Sequence, residues 1–153
     1  MGITIDNMAL KDQSNLYWVA EALLLKRVTG IGGIFFKADD QQKLYEWYEK
    51  HLGIQQMPGG GGASFPWREA DNREREGMTV WALFKRDAKY FDPSRSPFMI
   101  NYIVDDLDAL LAELQKEGVQ IDPKREDHDY GRFAWIMDPE GNRIELWEPP
   151  KGT

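Results

Sequence analysis

A lone carboxylate between aliphatic residues is the first feature of this chain that could do chemistry. Glu145 lies in Arg143-Ile144-Glu145-Leu146-Trp147, just after the run Asp138-Pro139-Glu140-Gly141-Asn142. On an alternating strand it points away from Ile144 and Leu146. In a desolvated cleft such a group is a general base with a raised pKa, a metal ligand, or the partner of a cation such as Lys37 or Arg143. Few other residues could join it. The chain has no cysteine, which removes disulfides, thiolate metal sites and Cys nucleophiles together. Its two histidines are His51, at the end of a helical run, and His128, in the polar run Glu126-Asp127-His128-Asp129 that reads as an exposed loop. A two-histidine, one-carboxylate iron site would need both beside Glu145, and their placement opposes that. Ser14, Ser64, Ser94 and Ser96 lack a nucleophile-elbow context and an activating histidine. The four glycines at 59–62 precede strand-like residues rather than Lys-Ser/Thr and a helix, so they form a loop and not a phosphate cradle. Gly30, Gly32 and Gly33 lie in or before a strand, which does not support a dinucleotide site.

The elements that must position these residues recur. "IGGIFFKA" alternates around Ile34 and Phe36 as a strand, and "DDQQKLYEWYEKHLG" follows as a helix. Asp39 is placed to cap it, Leu44, Trp47, Tyr48 and Leu52 form its apolar stripe, and Gly53 ends it. "ASFPWREAD" and "MTVWALFKRD" read as strands. Then "FMINYIVDDLDALLAELQKEGV" repeats strand, Asp-Asp, helix and Gly, with Leu107, Leu110, Leu111 and Leu114 as the stripe. Ile34 matches Ile100, Phe36 matches Tyr102 and Leu44 matches Leu110, all at one offset. Strands near "VQIDPKRED", "GRFAWIMD" and "RIELWEP" complete the second copy. Each copy is therefore read as βαβββ, and two such modules pair to complete one structure. Residues 1–28 stand apart as an N-terminal extension, with a helix expected from about 14 to 26 on Leu16, Val19, Ala20, Leu23 and Leu24. The domain proper is then 29–153, built from modules 29–95 and 96–150.

Composition narrows the partners. The 153 residues are 42% hydrophobic and 29% charged, with a net charge of −7. An acidic surface argues against nucleic acid. The longest apolar runs fall far short of the roughly 20 residues of a membrane span. No secretory signal pattern is present, and the expectation is a cytoplasmic protein.

Taken in order, "FFKADDQQKLYEWYEKHLGI", "INYIVDDLDALLAELQKEGV" and "GRFAWIMDPEGNRIELWEP" resemble the vicinal-oxygen-chelate superfamily, the group of glyoxalase I, extradiol dioxygenases and the fosfomycin and bleomycin resistance proteins. The resemblance spans roughly residues 30–150. It implies an α+β fold in which eight strands of two tandem βαβββ modules form curved mixed sheets around one cleft, helices outside. Ile34, Phe36, Ile100, Tyr102, Ile144 and Leu146 would then face the helices. The cleft would be lined by Gly33, Phe35, Lys37, Trp81, Met99, Asn101, Arg143, Glu145 and Trp147.

Metal-dependent members of that superfamily hold a divalent ion with His and Glu side chains on the first and last strand of each module. Carried over, those positions fall on Gly33, on Trp81 or Ala82, on Met99 and on Glu145. Only Glu145 is a ligand type suited to such ions, and a catalytic metal usually takes about three protein ligands. The expectation is therefore no cofactor and no metal site, a divalent metal being disfavoured. The resemblance implies a small-molecule ligand held in the cleft of a glyoxalase/bleomycin-resistance-like protein, and pairing as a homodimer. One alternative is a glyoxalase-type lyase or isomerase with Glu145 as base or metal ligand. The other is a non-catalytic interaction module, which a filled cleft would favour.

Overall fold

The computed structural model describes residues 26–152. The expected helix at 14–26 lies almost wholly outside them. Nine elements follow in order: β1 (Val28–Ala38), α1 (Gln41–Leu52), β2 (Ala63–Arg68), β3 (Glu76–Lys85), β4 (Phe98–Val104), α2 (Leu107–Lys116), β5 (Ile121–His128), β6 (Gly131–Met137) and β7 (Arg143–Glu148). The strands form one mixed sheet in the order β2-β3-β1-β4-β7-β6-β5. In each module the first strand lies parallel to the last, β1 to β3 and β4 to β7, and every other pairing is antiparallel. The two modules join through β1 and β4, where Ile34 faces Ile100 and Gly33 faces Asn101. The α+β class, the tandem modules and the outer helices stand as expected from the sequence.

The first module is shorter than expected by one strand. No strand forms between α1 and β2, so the sheet has seven strands and not eight. The cause is the glycine run. Gly59, Gly60, Gly61 and Gly62 all adopt positive φ, from 84° to 106°, a region that extended β-pairing does not use. The amide of Met57 donates to the carbonyl of Gly62 at 2.7 Å, and that of Gly60 to Met57 at 2.9 Å, which closes the segment into a loop.

Both helices begin at an aspartate. Asp106 accepts from the Ala109 amide at 2.9 Å. In α1 the cap is Asp40, accepting from Lys43 at 3.1 Å, and not Asp39, which pairs outward with Arg86 at 2.9 Å. Gly53 ends α1 at φ 68°. The stripe of α2 packs as expected, with Leu107, Leu110 and Leu114 buried against Val104, Ala134 and Leu146. The stripe of α1 is rotated: Tyr45 is its buried residue, with Leu44 and Tyr48 beside it, whereas Trp47 and Leu52 are 49% and 60% exposed. Strand alternation gives the sheet its second face, which carries Phe35, Ala82, Met99 and Trp135 and receives no helix residue. Among the described residues no helix is long and apolar enough to cross a membrane.

Candidate functional site

Glu145 sits in the middle of that helix-free face at 2% exposure. Register decides its neighbours. On one side β4 places Asn101 directly opposite, and on the other β6 places Trp135 opposite. Directly opposed residues share a face, so both side chains reach the carboxylate. Asn101 Nδ2 donates to Glu145 Oε1 at 2.6 Å, and Trp135 Nε1 donates to Oε2 at 3.0 Å. The third donor is the Tyr90 hydroxyl, also on Oε2. All three are neutral. Burial pushes the Glu145 carboxyl above its usual range, and the three hydrogen bonds only partly oppose this. Burial, and then the adjacent Glu145, hold the Tyr90 phenol protonated well above its ordinary value.

Neither cation considered from the sequence is hydrogen-bonded to Glu145. Arg143 does turn to this face, with its guanidinium 5.2 Å from the Trp135 ring centroid, but its Nη1 donates to Asp122 at 2.6 Å and to the Asp92 carbonyl at 2.8 Å. Lys37 lies over the Phe91 ring at 5.4 Å. Phe35 and Met99 are buried in the same apolar cluster, with Met99 at 0% exposure. Trp147 lies at the end of the face. Its ring is parallel to Phe133 with centroids 6.1 Å apart, and its Nε1 donates to the Tyr130 carbonyl.

Trp81 is a correction. It lies on the opposite face, under α1, with its ring 4.7 Å from Tyr48 and 5.7 Å from Tyr45. Pairing with Ile34 and Ala63 puts it there, and Ala82, opposite Phe35, takes the place on the helix-free face. A one-residue difference in strand register reverses the side chain's direction. The resemblance carries the superfamily's first-strand metal-ligand position onto Gly33. A Cβ there would come 2.4 Å from Phe35 Cζ, so the Phe35 ring already fills the space. His51 is exposed beside Trp47, 4.9 Å between ring centroids. His128 ends β5 and not a loop, with its Nε2 3.0 Å from Glu126 and its ring stacked on Tyr130. Among the described residues no three His, Cys, Asp or Glu side chains gather as a metal-holding group.

Sequence reasoning named Glu145, Asn101 and Trp147, but it did not find Tyr90 or Phe91 or link Trp135 to the carboxylate. Tyr90 and Phe91 come from the connection between β3 and β4, which turns inward over the centre of the face. Phe91 is 0% exposed among Phe35, Ala82, Met99 and Trp135. A signal existed: two adjacent aromatics in the polar run "RDAKYFDPSRS", at the junction of the modules.

The chain is similar to many solved structures, several methylmalonyl-CoA epimerases among them. A Streptomyces coelicolor methylmalonyl-CoA epimerase variant bound to 2-nitronate-propionyl-CoA aligns with a TM-score of 0.56 at 17% identity, over 80% of this chain and 98% of that one. A methylmalonyl-CoA epimerase in complex with methylmalonyl-CoA and ammonium aligns at 0.56 and 18% identity, over 81% and 96%. The Mycobacterium tuberculosis methylmalonyl-CoA epimerase aligns at 0.50 and 23% identity, over 80% and 89%. At these identities the likeness is one of fold. No curated protein matches the sequence. The profile of one family matches residues 30–146, most of the chain and both modules. By that match the chain belongs to the Glyoxalase/Bleomycin resistance protein/Dioxygenase superfamily.

Proposed function

We propose that this protein binds a small organic molecule on the helix-free face of its sheet, at Glu145, without the divalent ion of the metal-dependent members. The observation that carries the reading is the isolation of Glu145. It is a buried carboxylate held by three neutral donors among aromatic rings, with no His, Asp or second Glu among its hydrogen-bond partners. The positions that would supply one hold Gly33, Met99 and Ala82, which cannot form a site for a hard or borderline ion. A mostly aromatic surrounding with a few convergent polar groups suits a flat ligand oriented by one hydrogen bond.

The test has two parts on the purified full chain. Elemental analysis is expected to find no stoichiometric divalent metal, and a metal present in wild type but lost in Glu145→Gln would overturn the reading. A thermal-shift screen of aromatic and thiol-conjugate compounds is expected to give binders, since a ligand at a hundredfold its Kd adds about 2.7 kcal/mol of apparent stability.

Two other readings each have one observation behind them. The raised Glu145 carboxyl suits a proton-abstracting base of a lyase or isomerase. Exchange of the α-proton of methylmalonyl-CoA in deuterated buffer, lost in Glu145→Gln, would select that reading. The filled centre of the face, with Phe91 and Met99 fully buried, suits a non-catalytic interaction module. An empty ligand screen would select this one.

A further inference from the structure

The three donors on Glu145 are not equivalent. Asn101 and Trp135 are fixed by strands on either side. Tyr90 comes from a connection with no strand or helix of its own. Its ring lies face to face with Phe84, centroids 5.4 Å apart and planes 7° apart, and edge-on to Trp135 at 6.2 Å and 86°. The Tyr90 ring thus fills a slot with one stacking wall, Phe84, one edge-on aromatic, Trp135, and a carboxylate oxygen at its end.

The connection has anchors that do not involve Tyr90. Phe91 is buried completely, the Asp92 carbonyl accepts from Arg143, and Ser96 Oγ donates to Asn142 Oδ1 at 2.5 Å. Tyr90 itself is only partly buried. Its side chain makes one hydrogen bond, to Glu145, while Phe91 and the Arg143 contact hold the segment independently of it.

We infer that Tyr90 is a built-in occupant of the ligand slot. The ligand is a neutral aromatic molecule with one hydroxyl or N–H donor, which displaces the Tyr90 ring from between Phe84 and Trp135 and donates to Glu145. This rests on the reading that the Glu145 face binds a small organic molecule, and it names the class. The chemistry follows from what Tyr90 supplies there. Phe84 stacks a planar ring and Trp135 meets its edge, and the carboxylate oxygen takes one hydrogen from a neutral group. An aromatic acid would bring a negative charge to a buried site whose hydrogen-bond donors are all neutral, which desolvation makes costly.

Competition makes the inference testable. The affinity of wild type is reduced by the fraction of time the slot is vacated. Tyr90→Phe keeps the ring and removes its hydrogen bond to Glu145, which weakens the internal competitor. The probe is 4-methylphenol, the tyrosine side chain itself, titrated calorimetrically into wild type, Tyr90→Phe and Tyr90→Ala. Toluene and 4-methylbenzoate are the controls. The expected result is binding to Tyr90→Phe roughly tenfold or more tighter than to wild type. Tyr90→Ala is expected to be at least as tight, toluene weaker and 4-methylbenzoate absent. Equal Kd for 4-methylphenol in wild type and Tyr90→Phe overturns the inference, as does toluene binding as tightly as 4-methylphenol. If Tyr90→Ala fails to fold, Tyr90→Phe decides alone, because it retains the packed ring. Screen hits of another class that bind wild type and Tyr90→Phe equally would sink this inference and leave the broader reading standing. No binder for any of the three proteins sinks both.

Discussion

Two opposing effects act on the one carboxyl group of Glu145. Loss of water raises its pKa, while hydrogen bonds from Tyr90, Asn101 and Trp135 lower it, and the first effect is the larger. A folded pKa above the unfolded value means that the native state keeps its proton where the unfolded chain has lost it. Stability linked to this group is therefore fully present below the ordinary glutamate pKa and is lost as pH rises through the folded value. Glu145→Gln removes the titration. The stability of wild type minus that of the variant is expected to fall with rising pH across this window and then stay level, as read by urea unfolding at a series of pH values. A difference that rises with pH would mean that the three donors outweigh burial. The partners of Glu145 show what the sequence can disclose. Strand alternation, together with the resemblance to the superfamily, placed Glu145 and Asn101 on one face. The contact with Trp135 also needs the register of β6 against β7, which no local pattern specifies. Tyr90 lies in an aperiodic connection, and no period tells where a loop aromatic lands.

Among the elements, α1 separates local signal from tertiary outcome. Two aspartates, Asp39 and Asp40, could each start it, and only backbone geometry chooses between them. The structure chooses Asp40. Asp40→Ala and Asp106→Ala should each cost about 1 kcal/mol in chemical denaturation, because each leaves a first-turn amide without its acceptor. Asp39→Ala should cost less than Asp40→Ala, since it loses an exposed ion pair with Arg86. Equal losses at 39 and 40 would refute the assignment of the cap. The rotated stripe of α1 has a similar origin. Tyr45 looks less apolar than Trp47 or Leu52, yet its hydroxyl accepts from the Leu83 amide at 2.9 Å, so it can be buried with its polar end satisfied. The connection that carries Tyr90 and Phe91 behaves as part of the core although it is no regular element. Phe91→Ala should destabilise the protein by about 3–5 kcal/mol in urea unfolding, the range for a fully buried aromatic. A loss under 1 kcal/mol would show that the connection lies on the fold without holding it.

For the molecule as a whole, the repeat in the sequence suggests two units, but the structure gives them one sheet and a shared core. Module 29–95 supplies Phe35 and Ala82 to the cluster on the helix-free face, and module 96–150 supplies Met99 and Trp135. Phe91, at the end of the first module, lies between them. The seam is the longest-reaching contact of the fold, with β1 paired along β4 from Val28 opposite Val104 to Phe36 opposite Phe98. Cutting there would leave β1 and β4 with unpaired edges and the cluster with an open apolar face. The modules should therefore unfold together. Trp81 reports on the core under α1, and Trp135 reports on the shared cluster. Urea transitions followed by tryptophan fluorescence in Trp81→Phe and Trp135→Phe variants should each coincide with the loss of far-ultraviolet circular dichroism of the same variant, as two-state unfolding requires. Fragments 29–95 and 96–150 should be unfolded when made separately, and should gain β-structure signal only when mixed. Two resolved transitions, or a separate fragment with native-like dispersion in its NMR spectrum, would show that each module holds its own core. The site at Glu145 would then be an interface between two domains, free to open along the seam, and not a face buried within one.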